Sequence, residues 1–253
     1  MVLYIIGLGL YDEKDITLRG LEAINACEKV YLEGYTAVLN TDLKKLESLY
    51  NKNIVKLNRE QIEQTPNESF LEEAKHKNIA LLVIGDPMSA TTHIDLLLRA
   101  RQIGINVKII HNASIITAVG KTGLQVYKFG KTTSIPFSTK SFKPVTCYEV
   151  LAQNKKAGLH TLFLLDLDPV NNKFMTVNEA IKYLLELENS QKAGFFTPQT
   201  YCVGVARIGG DNEILKSGKA SELMDYDFGG PMHSLIVPGR LHYMEELALK
   251  LLE

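Results

Sequence analysis

The segment Ile84-Gly85-Asp86-Pro87-Met-Ser-Ala-Thr-Thr-His93 carries an informative set of polar residues for chemistry. It follows the most apolar strand-like run of the chain, and a helix is predicted to begin near Thr91. Open α/β sheets bind ligands at the carboxyl ends of their strands. A turn alone would account for Gly-Asp-Pro, because Gly85 permits unusual backbone angles and Pro87 favours an extended Asp86. Alternatively, Asp86 offers a carboxylate to a cationic ligand.

A second glycine segment, Gly7-Leu-Gly9, follows the first predicted strand, where a dinucleotide-binding loop would lie. The dinucleotide fingerprint needs a third glycine three positions later, but that position is Asp12. A pyrophosphate site is therefore not expected. The glycines form either a tight turn or a surface against which a phosphate-free ligand can lie.

Two further segments combine polar residues with strand ends. His111-Asn-Ala-Ser114-Ile115 follows a predicted strand at a predicted domain junction, and Ser114 can either cap the next helix or line a pocket there. The turn Gly229-Gly-Pro-Met-His233 leads into a later strand. His233 is either a structural histidine or a ligand contact.

Composition and missing motifs exclude several classes of function. There is no HExxH, GxSxG or GxxxxGK[ST] sequence, so zinc protease, serine hydrolase and P-loop chemistry lack support. Three widely spaced cysteines form no zinc or disulfide pattern, so we expect no metal and a cytoplasmic location. With 28 basic and 29 acidic residues and no apolar run of about 20 residues, neither nucleic acid nor a membrane is expected as a partner.

Short apolar runs and helical repeats alternate in the first half of the chain. Leu18, Leu21 and Ile24 recur at helical spacing after Thr17, which can cap the helix. The predicted strands cover 2–8, 30–32, 53–57, 79–84 and 107–110, and further helices are predicted near 41–50, 67–77 and 91–103. This alternation predicts a mainly parallel α/β sheet with right-handed crossovers.

The second half of the chain has a different order of predicted strands and helices. Strands are predicted over 132–136, 159–165, 200–206 and 235–237, helices near 148–156, 177–189 and 241–251, and a hairpin over 208–218. The hairpin prediction rests on the turn signal Gly209-Gly-Asp-Asn212. We therefore predict a two-domain α/β protein, with a mainly parallel α/β domain over residues 1–112 and a mixed α+β domain over residues 113–253.

Together these segments closely resemble the diphthine synthase family, within the tetrapyrrole-methylase-like superfamily of methyltransferases. The resemblance runs in order over nearly the whole chain. The matching stretches are Tyr4-Ile-Ile-Gly-Leu-Gly-Leu-Tyr-Asp12, Gly85-Asp-Pro-Met-Ser-Ala-Thr-Thr-His93, Ile110-His-Asn-Ala-Ser-Ile115, Tyr127-Lys-Phe-Gly130, Gly158-Leu-His-Thr-Leu-Phe-Leu-Leu-Asp166, Val205-Ala-Arg207 and His233-Ser-Leu-Ile-Val-Pro-Gly239.

The resemblance implies a homodimer whose subunits bind S-adenosylmethionine in the cleft between two domains and release S-adenosylhomocysteine. It implies cofactor contacts at matching positions, and it leaves the catalytic residues unknown. The implied contacts are Leu10, Asp86, Ser89, Ser114, Ile115, Leu165, Ile208 and His233. Leu10 and Leu165 suit apolar or backbone contacts, and Ile208, just beyond its matched stretch, suits a backbone contact.

The family reaction methylates the 3-amino-3-carboxypropyl group on a histidine of elongation factor 2, in diphthamide biosynthesis. Three methylations give diphthine, and a fourth gives its methyl ester. The segments His111-Asn-Ala-Ser-Ile and Tyr127-Lys-Phe-Gly-Lys-Thr resemble the eukaryotic, ester-forming branch more closely. Four methylations are therefore expected, with three as the alternative.

Sulfonium methyl transfer requires no strong base, so we expect no side chain to be an essential proton-transfer catalyst. Two rival hypotheses stay open. One is a tetrapyrrole (precorrin) methylase on the same scaffold, and the other is a non-catalytic nucleotide- or protein-binding module.

Overall fold

The computed structural model describes residues 1–66, 69–138 and 143–253. The chain forms two compact units, Met1–Ile116 and Thr117–Glu253. Within the described residues, no helix is long and apolar enough to cross a membrane.

The first unit is built on a five-stranded parallel sheet, as predicted. Its strands follow the apolar runs of the sequence, and their order across the sheet is β3-β2-β4-β1-β5. All five residues of the strand at the centre of this order are buried. The strands are β1 (Val2–Gly7), β2 (Lys29–Glu33), β3 (Ile54–Leu57), β4 (Ile79–Val83) and β5 (Asn106–Ile110).

Helices connect these strands. They are α1 (Leu18–Asn25), α2 (Leu43–Tyr50), α3 (Phe70–Ala74) and α4 (His93–Gln102), with a π-helical turn at Glu60–Gln64 and α5 (Ile115–Ala118) after β5. Thr17 caps α1 as predicted, since its side chain accepts a hydrogen bond from the Gly20 amide (3.0 Å). Of the three residues at helical spacing, Ile24 is buried and Leu21 is half-buried, whereas Leu18 is 81% exposed. Side chains in the first turn point past the helix start. Residues 67 and 68 of the helix predicted over 67–77 lie outside the described residues.

The second unit contains a mixed sheet in the order β11-β10-β12-β7-β6. The pair β6–β7 is parallel, and the other three pairs are antiparallel. The strands are β6 (Thr133–Ile135), β7 (Thr161–Leu165), β10 (Tyr201–Ala206), β11 (Ile214–Lys219) and β12 (His233–Val237), while β8 (Leu167–Asp168) and β9 (Lys173–Phe174) form a separate pair.

The predicted hairpin exists, but its bounds differ from the prediction. Ala206 pairs with Ile214, so the hairpin joins β10 to β11, and Ile208 lies in the connecting loop rather than in a strand. The helices of this unit are α6 (Thr146–Lys156), α7 (Val177–Gln191), α8 (Ala220–Leu223) and α9 (Tyr243–Lys250). The side of the sheet that α6 and α7 cover is filled by fully buried aromatic and aliphatic side chains, among them Phe163, Phe196 and Phe228.

Candidate functional site

The loops after β1 and β4 are joined at the carboxyl edge of the parallel sheet. The Gly9 amide donates to the Gly85 carbonyl (3.2 Å), and the Gly85 amide donates to the Gly9 carbonyl (2.8 Å). Both residues have positive φ values, 84° and 80°, which favour glycine. A Cβ at Gly7 would lie 2.6 Å from the Gly85 oxygen, so a side chain there would separate the loops. The two glycine segments therefore form one structural junction.

Asp86 orders the turn that follows β4. It is 5% exposed, and each carboxylate oxygen accepts two hydrogen bonds. Oδ1 accepts from the Met88 amide (2.9 Å) and the Ser89 hydroxyl (3.1 Å), and Oδ2 accepts from His111 Nδ1 (2.8 Å) and the Asn112 amide (3.1 Å). A carboxylate has about four acceptor positions, so its capacity is used within the protein.

The ionisation of Asp86 follows from these contacts. Burial by itself would raise the pKa of the carboxyl group, but the amides of Met88 and Asn112 and the side chains of His111 and Ser89 outweigh it. The pKa of Asp86 is consequently held below its ordinary value. The charge is therefore retained at neutral pH, in a carboxylate fixed by its own loop and by the loop after β5.

Asp15 and Asn112 hold the loop after β1. Asp15 Oδ2 accepts from the amides of Leu10 (3.0 Å) and Tyr11 (2.7 Å). The Asn112 side-chain amide donates to the carbonyls of Gly7 (2.9 Å) and Asp15 (3.0 Å). Leu10 is thus presented by a loop with fixed backbone. Sequence patterns did not single out Asp15 or Asn112, and the carbonyls that Asn112 contacts lie 105 and 97 positions away in the chain.

Ser89 and Ser114 lie on loops at the same edge, and Ile115 begins the helix that follows Ser114. Ser89 is half-buried and bonded to Asp86, while Ser114 is buried and accepts a hydrogen bond from the Ile116 amide (3.3 Å). The capping interpretation of Ser114 is therefore supported by geometry, and Ile115 follows it as the first residue of α5. The first unit thus gathers all five of its predicted cofactor contacts on the segments that directly follow β1, β4 and β5.

The other three predicted contacts share one sheet edge in the second unit. Leu165 ends β7, Ile208 follows β10 and His233 begins β12. His233 is paired with Ala206, two residues before Ile208, and Leu164 is paired with Ser234. The register therefore brings the three residues to adjacent strand ends, where each is at least nine-tenths buried.

Both ring nitrogens of His233 are used within the protein. Nδ1 accepts a hydrogen bond from the Val177 amide (3.3 Å), and Nε2 donates to the Gly230 carbonyl (2.9 Å). Burial lowers the pKa of His233 despite the opposing effect of the Gly230 carbonyl, so the ring is neutral. His233 therefore joins β12 to the start of α7 and to the glycine-rich turn.

Arg207 also holds loops in place in the second unit. It ends the matching stretch Val205-Ala-Arg207, but the sequence alone assigns it no role. Its guanidinium donates to the carbonyls of Asn212 (3.1 and 2.9 Å), Phe228 (2.8 Å) and Gly230. It therefore fastens the loop that carries Ile208 to the turn that precedes His233. The charge of a single arginine satisfies carbonyls from two loops, which the spacing of residues along the chain cannot reveal.

Within the described parts of the chain, no three or more His, Cys, Asp and Glu side chains are grouped to hold a metal ion. Open space adjoins two glycines on the loops described above, Gly85 and Gly230. A Cβ at Gly85 would meet only the Ala113 carbonyl, at 4.0 Å, and one at Gly230 would meet nothing within 4 Å. The two sheet edges thus offer backbone surfaces, hydroxyl groups and apolar side chains.

Comparison with known proteins agrees with this architecture. Residues 2–224 match the family model of tetrapyrrole (corrin/porphyrin) methylases. A diphthine synthase of Methanocaldococcus jannaschii is 50% identical over 254 residues, covering 99% of this chain and 98% of the relative. The chain belongs to the diphthine synthases of the tetrapyrrole methylase family. It is therefore a methyltransferase of diphthamide biosynthesis.

Relatives carrying a second name match as well. A diphthine methyl ester synthase of Dictyostelium discoideum is 44% identical over 263 residues, covering 97% of this chain and 96% of the relative. A crystal structure of a diphthine synthase superimposes with a TM-score of 0.91 at 36% identity, covering 100% of this chain and 96% of that one. The family and the fold are thus established over the whole length.

Proposed function

We propose that this chain transfers methyl groups from S-adenosylmethionine to the 3-amino-3-carboxypropyl-histidine of elongation factor 2. The proposal is carried by the similarity to relatives named for diphthine and its methyl ester, which are 50% and 44% identical over nearly the whole chain. The ordered Asp86 turn at the carboxyl edge of the parallel sheet supports it, because ligands bind at such edges.

The residues at the two sheet edges fit this cofactor. Open space beside Gly85 and Gly230 allows a flat group to lie against the backbone, and the missing third glycine suits a ligand without phosphate. The fixed negative charge of Asp86 suits a ligand that carries a positive charge. We assign cofactor contacts in the first unit to Leu10, Asp86, Ser89, Ser114 and Ile115, and in the second to Leu165, Ile208 and His233.

When bound, S-adenosylmethionine supplies a methyl group that its sulfonium already activates. The acceptor amine resembles an α-amino group with an ordinary pKa of about 8, so a useful fraction is neutral near pH 7. Catalysis can then rest on alignment, which is worth roughly 7–11 kcal/mol. Since both nitrogens of His233 are engaged, we propose that this histidine positions loops and does not transfer a proton.

We further propose four methylations, the last on the carboxylate, by a cytoplasmic homodimer that needs no metal, nucleic acid or membrane. The segment from His111 to Ile115 supports the ester-forming branch by its resemblance to eukaryotic sequences. Three methylations are the alternative, since relatives named for diphthine itself are equally extensive in coverage.

Mass spectrometry of the acceptor tests this proposal. Elongation factor 2 carrying the aminocarboxypropyl-histidine is incubated with the protein and S-adenosylmethionine, and the methyl groups are counted before and after mild alkali. Four methyl groups, of which alkali removes one, support the ester-forming reaction. Three alkali-stable groups establish the alternative. If no methyl group is added, the proposed acceptor is refuted. Methylation of a precorrin in a parallel reaction would establish the tetrapyrrole methylase instead.

Asp86→Asn tests the cofactor contacts. An amide group in place of one oxygen would face hydrogen-bond donors, so we expect the dissociation constant of S-adenosylmethionine to rise at least tenfold by calorimetry. Asp225→Asn is the matched control, because it removes the same charge from an exposed residue. Equal affinity in both variants would contradict the assignment of Asp86.

A further inference from the structure

His93, the first residue of α4, contacts the Asp86 turn from behind. The residue is 2% exposed, and its Nδ1 lies 3.1 Å from the Pro87 carbonyl oxygen. A carbonyl only accepts hydrogen bonds, so Nδ1 must carry a proton. The Thr91 hydroxyl donates to the same oxygen (2.8 Å). Two donors thus fix the peptide group between Pro87 and Met88.

Glu33, the last residue of β2, faces the other nitrogen of this imidazole. It is 0% exposed, and its Oε1 accepts a hydrogen bond from the Thr36 amide (3.0 Å). Oε2 has no hydrogen-bond partner among the described residues and lies 3.9 Å from His93 Nε2. A buried carboxylate without a partner is costly, so a group that shares or balances its charge stabilises the fold.

The two contacts together restrict the protonation of the pair. Because Nδ1 already carries a proton, Nε2 has two arrangements open to it. Either Nε2 is protonated and faces an ionised Glu33, or its lone pair faces a protonated Oε2. In both cases the Nδ1 proton that the Pro87 carbonyl accepts is retained.

We propose that His93 is a positioning residue for the Gly-Asp-Pro turn, and that Glu33 holds the imidazole in place from the side opposite the Pro87 carbonyl. The effect runs from the end of β2 through Glu33 and His93 to the Pro87 carbonyl, and so to Asp86. Its consequence for cofactor affinity rests on the proposed function, in which this turn contacts S-adenosylmethionine.

Other charged groups near His93 are balanced by their own partners. His93 lines a cavity of about 120 Å³ with Ile62, Glu63, Thr92, Asp95 and Leu96. Glu63 accepts from the Tyr35 hydroxyl (3.3 Å) and pairs with Arg59 (3.7 Å), and Asp95 pairs with Arg99 (2.7 Å). Among the described residues, His93 is the basic side chain that pairs with Glu33. Glu33 is therefore the carboxylate that faces this ring with an oxygen not used by another group.

Calorimetry on two matched variants tests the positioning role. In His93→Asn, the shorter amide can still donate to the Pro87 carbonyl, whereas His93→Leu removes the donor. We expect the dissociation constant of S-adenosylmethionine to rise about tenfold in the leucine variant and to stay within about twofold in the asparagine variant. The KM of the protein acceptor should not change in either. Equal affinity in both variants, each checked by its thermal melt, would overturn the proposal.

Nitrogen NMR of ¹⁵N-histidine-labelled wild-type protein tests the protonation directly and needs no bound cofactor. Its His93 signal, assigned by its loss in His93→Asn, should show a protonated Nδ1. In Glu33→Leu, Nδ1 should stay protonated because the Pro87 carbonyl remains, while the Nε2 signal should shift because no carboxylate faces it. A wild-type ring protonated only at Nε2, or a Glu33→Leu spectrum identical to wild type, would refute the proposal. Failure of the wild-type protein to bind S-adenosylmethionine would refute the proposed function and leave this measurement intact.

Discussion

Replacing Glu245 by glutamine should lower the free energy of unfolding of the second unit by about 3 kcal/mol at pH 7. Glu245 is 0% exposed and lies near the start of α9. Its Oε1 accepts from the Gln125 amide and His160 Nε2 (2.9 Å each). Its Oε2 accepts from the His242 amide (2.7 Å) and pairs with Lys128. One carboxylate thus joins three segments of the chain, namely residues 125–128, His160 and the start of α9.

The magnitude follows from the ionisation of this group. Burial alone would raise the pKa of Glu245, but the hydrogen bonds from Lys128, Gln125, His242 and His160 lower it from 4.5 to about 2. One pKa unit corresponds to about 1.4 kcal/mol, which gives about 3 kcal/mol for the charged form. A glutamine resembles the protonated carboxyl group, so it forfeits this contribution.

The sign of the pH dependence is also determined. A carboxyl group whose pKa is depressed in the folded state stabilises the fold fully above its unfolded pKa of 4.5, and this stabilisation is lost as the pH falls towards 2. The difference between wild type and Glu245→Gln should therefore shrink from about 3 kcal/mol at pH 7 to about 2 kcal/mol at pH 3.5.

Denaturant unfolding followed by circular dichroism measures this difference, since the chain has 11 tyrosines and no tryptophan for fluorescence. Glu246→Gln is the matched control, because Glu246 neighbours Glu245 on α9 and is exposed. The reasoning is refuted if the two variants unfold within about 0.5 kcal/mol of each other at pH 7, or if the gap does not narrow in acid.

Two other changes test the loops at the sheet edges. Gly7→Ala should lower the free energy of unfolding by about 1–3 kcal/mol, since its Cβ would lie 2.6 Å from the Gly85 oxygen, while Gly34→Ala, with nothing within 4 Å, should have little effect; equal melting temperatures would contradict this. Arg207→Lys should weaken S-adenosylmethionine binding several-fold by calorimetry, because lysine cannot hold the carbonyls of both loops at once. The exposed Arg240→Lys is its control, and an unchanged affinity in Arg207→Lys would show that the two loops keep their geometry without the guanidinium.

Strand positions could be predicted because burial on both faces of a parallel sheet requires continuous apolar runs. β4 is the clearest case, since every residue of Ile79–Val83 is buried. Helical spacing was a weaker guide in α1, where Leu18 belongs to the apolar repeat but is 81% exposed. A repeat specifies a helical face, but the first turn of a short helix can extend beyond the surface that covers the rest.

The candidate site could be predicted as a place but not as a network. Parallel topology brings the ends of β1, β4 and β5 to one edge of the sheet. The sequence could therefore predict that the segments carrying Gly9, Asp86 and His111 lie near one another. The sequence could not predict which atoms would form hydrogen bonds. His111 and Asp86 are 25 positions apart in the sequence, and they meet through the pleat and twist of three strands. The same holds for Glu33 and His93, which lie at the end of β2 and at the start of α4.

Three titratable residues near the predicted cofactor contacts are engaged in holding loops. Asp86 accepts four hydrogen bonds, His233 uses both ring nitrogens and His93 donates to the Pro87 carbonyl. In a sequence, an aspartate and two histidines beside glycine turns have the appearance of acid–base catalysts. Their hydrogen bonds instead identify them as groups that fix backbone. A reaction with an activated methyl donor and a partly neutral amine requires alignment more than proton transfer, and alignment is what fixed loops supply.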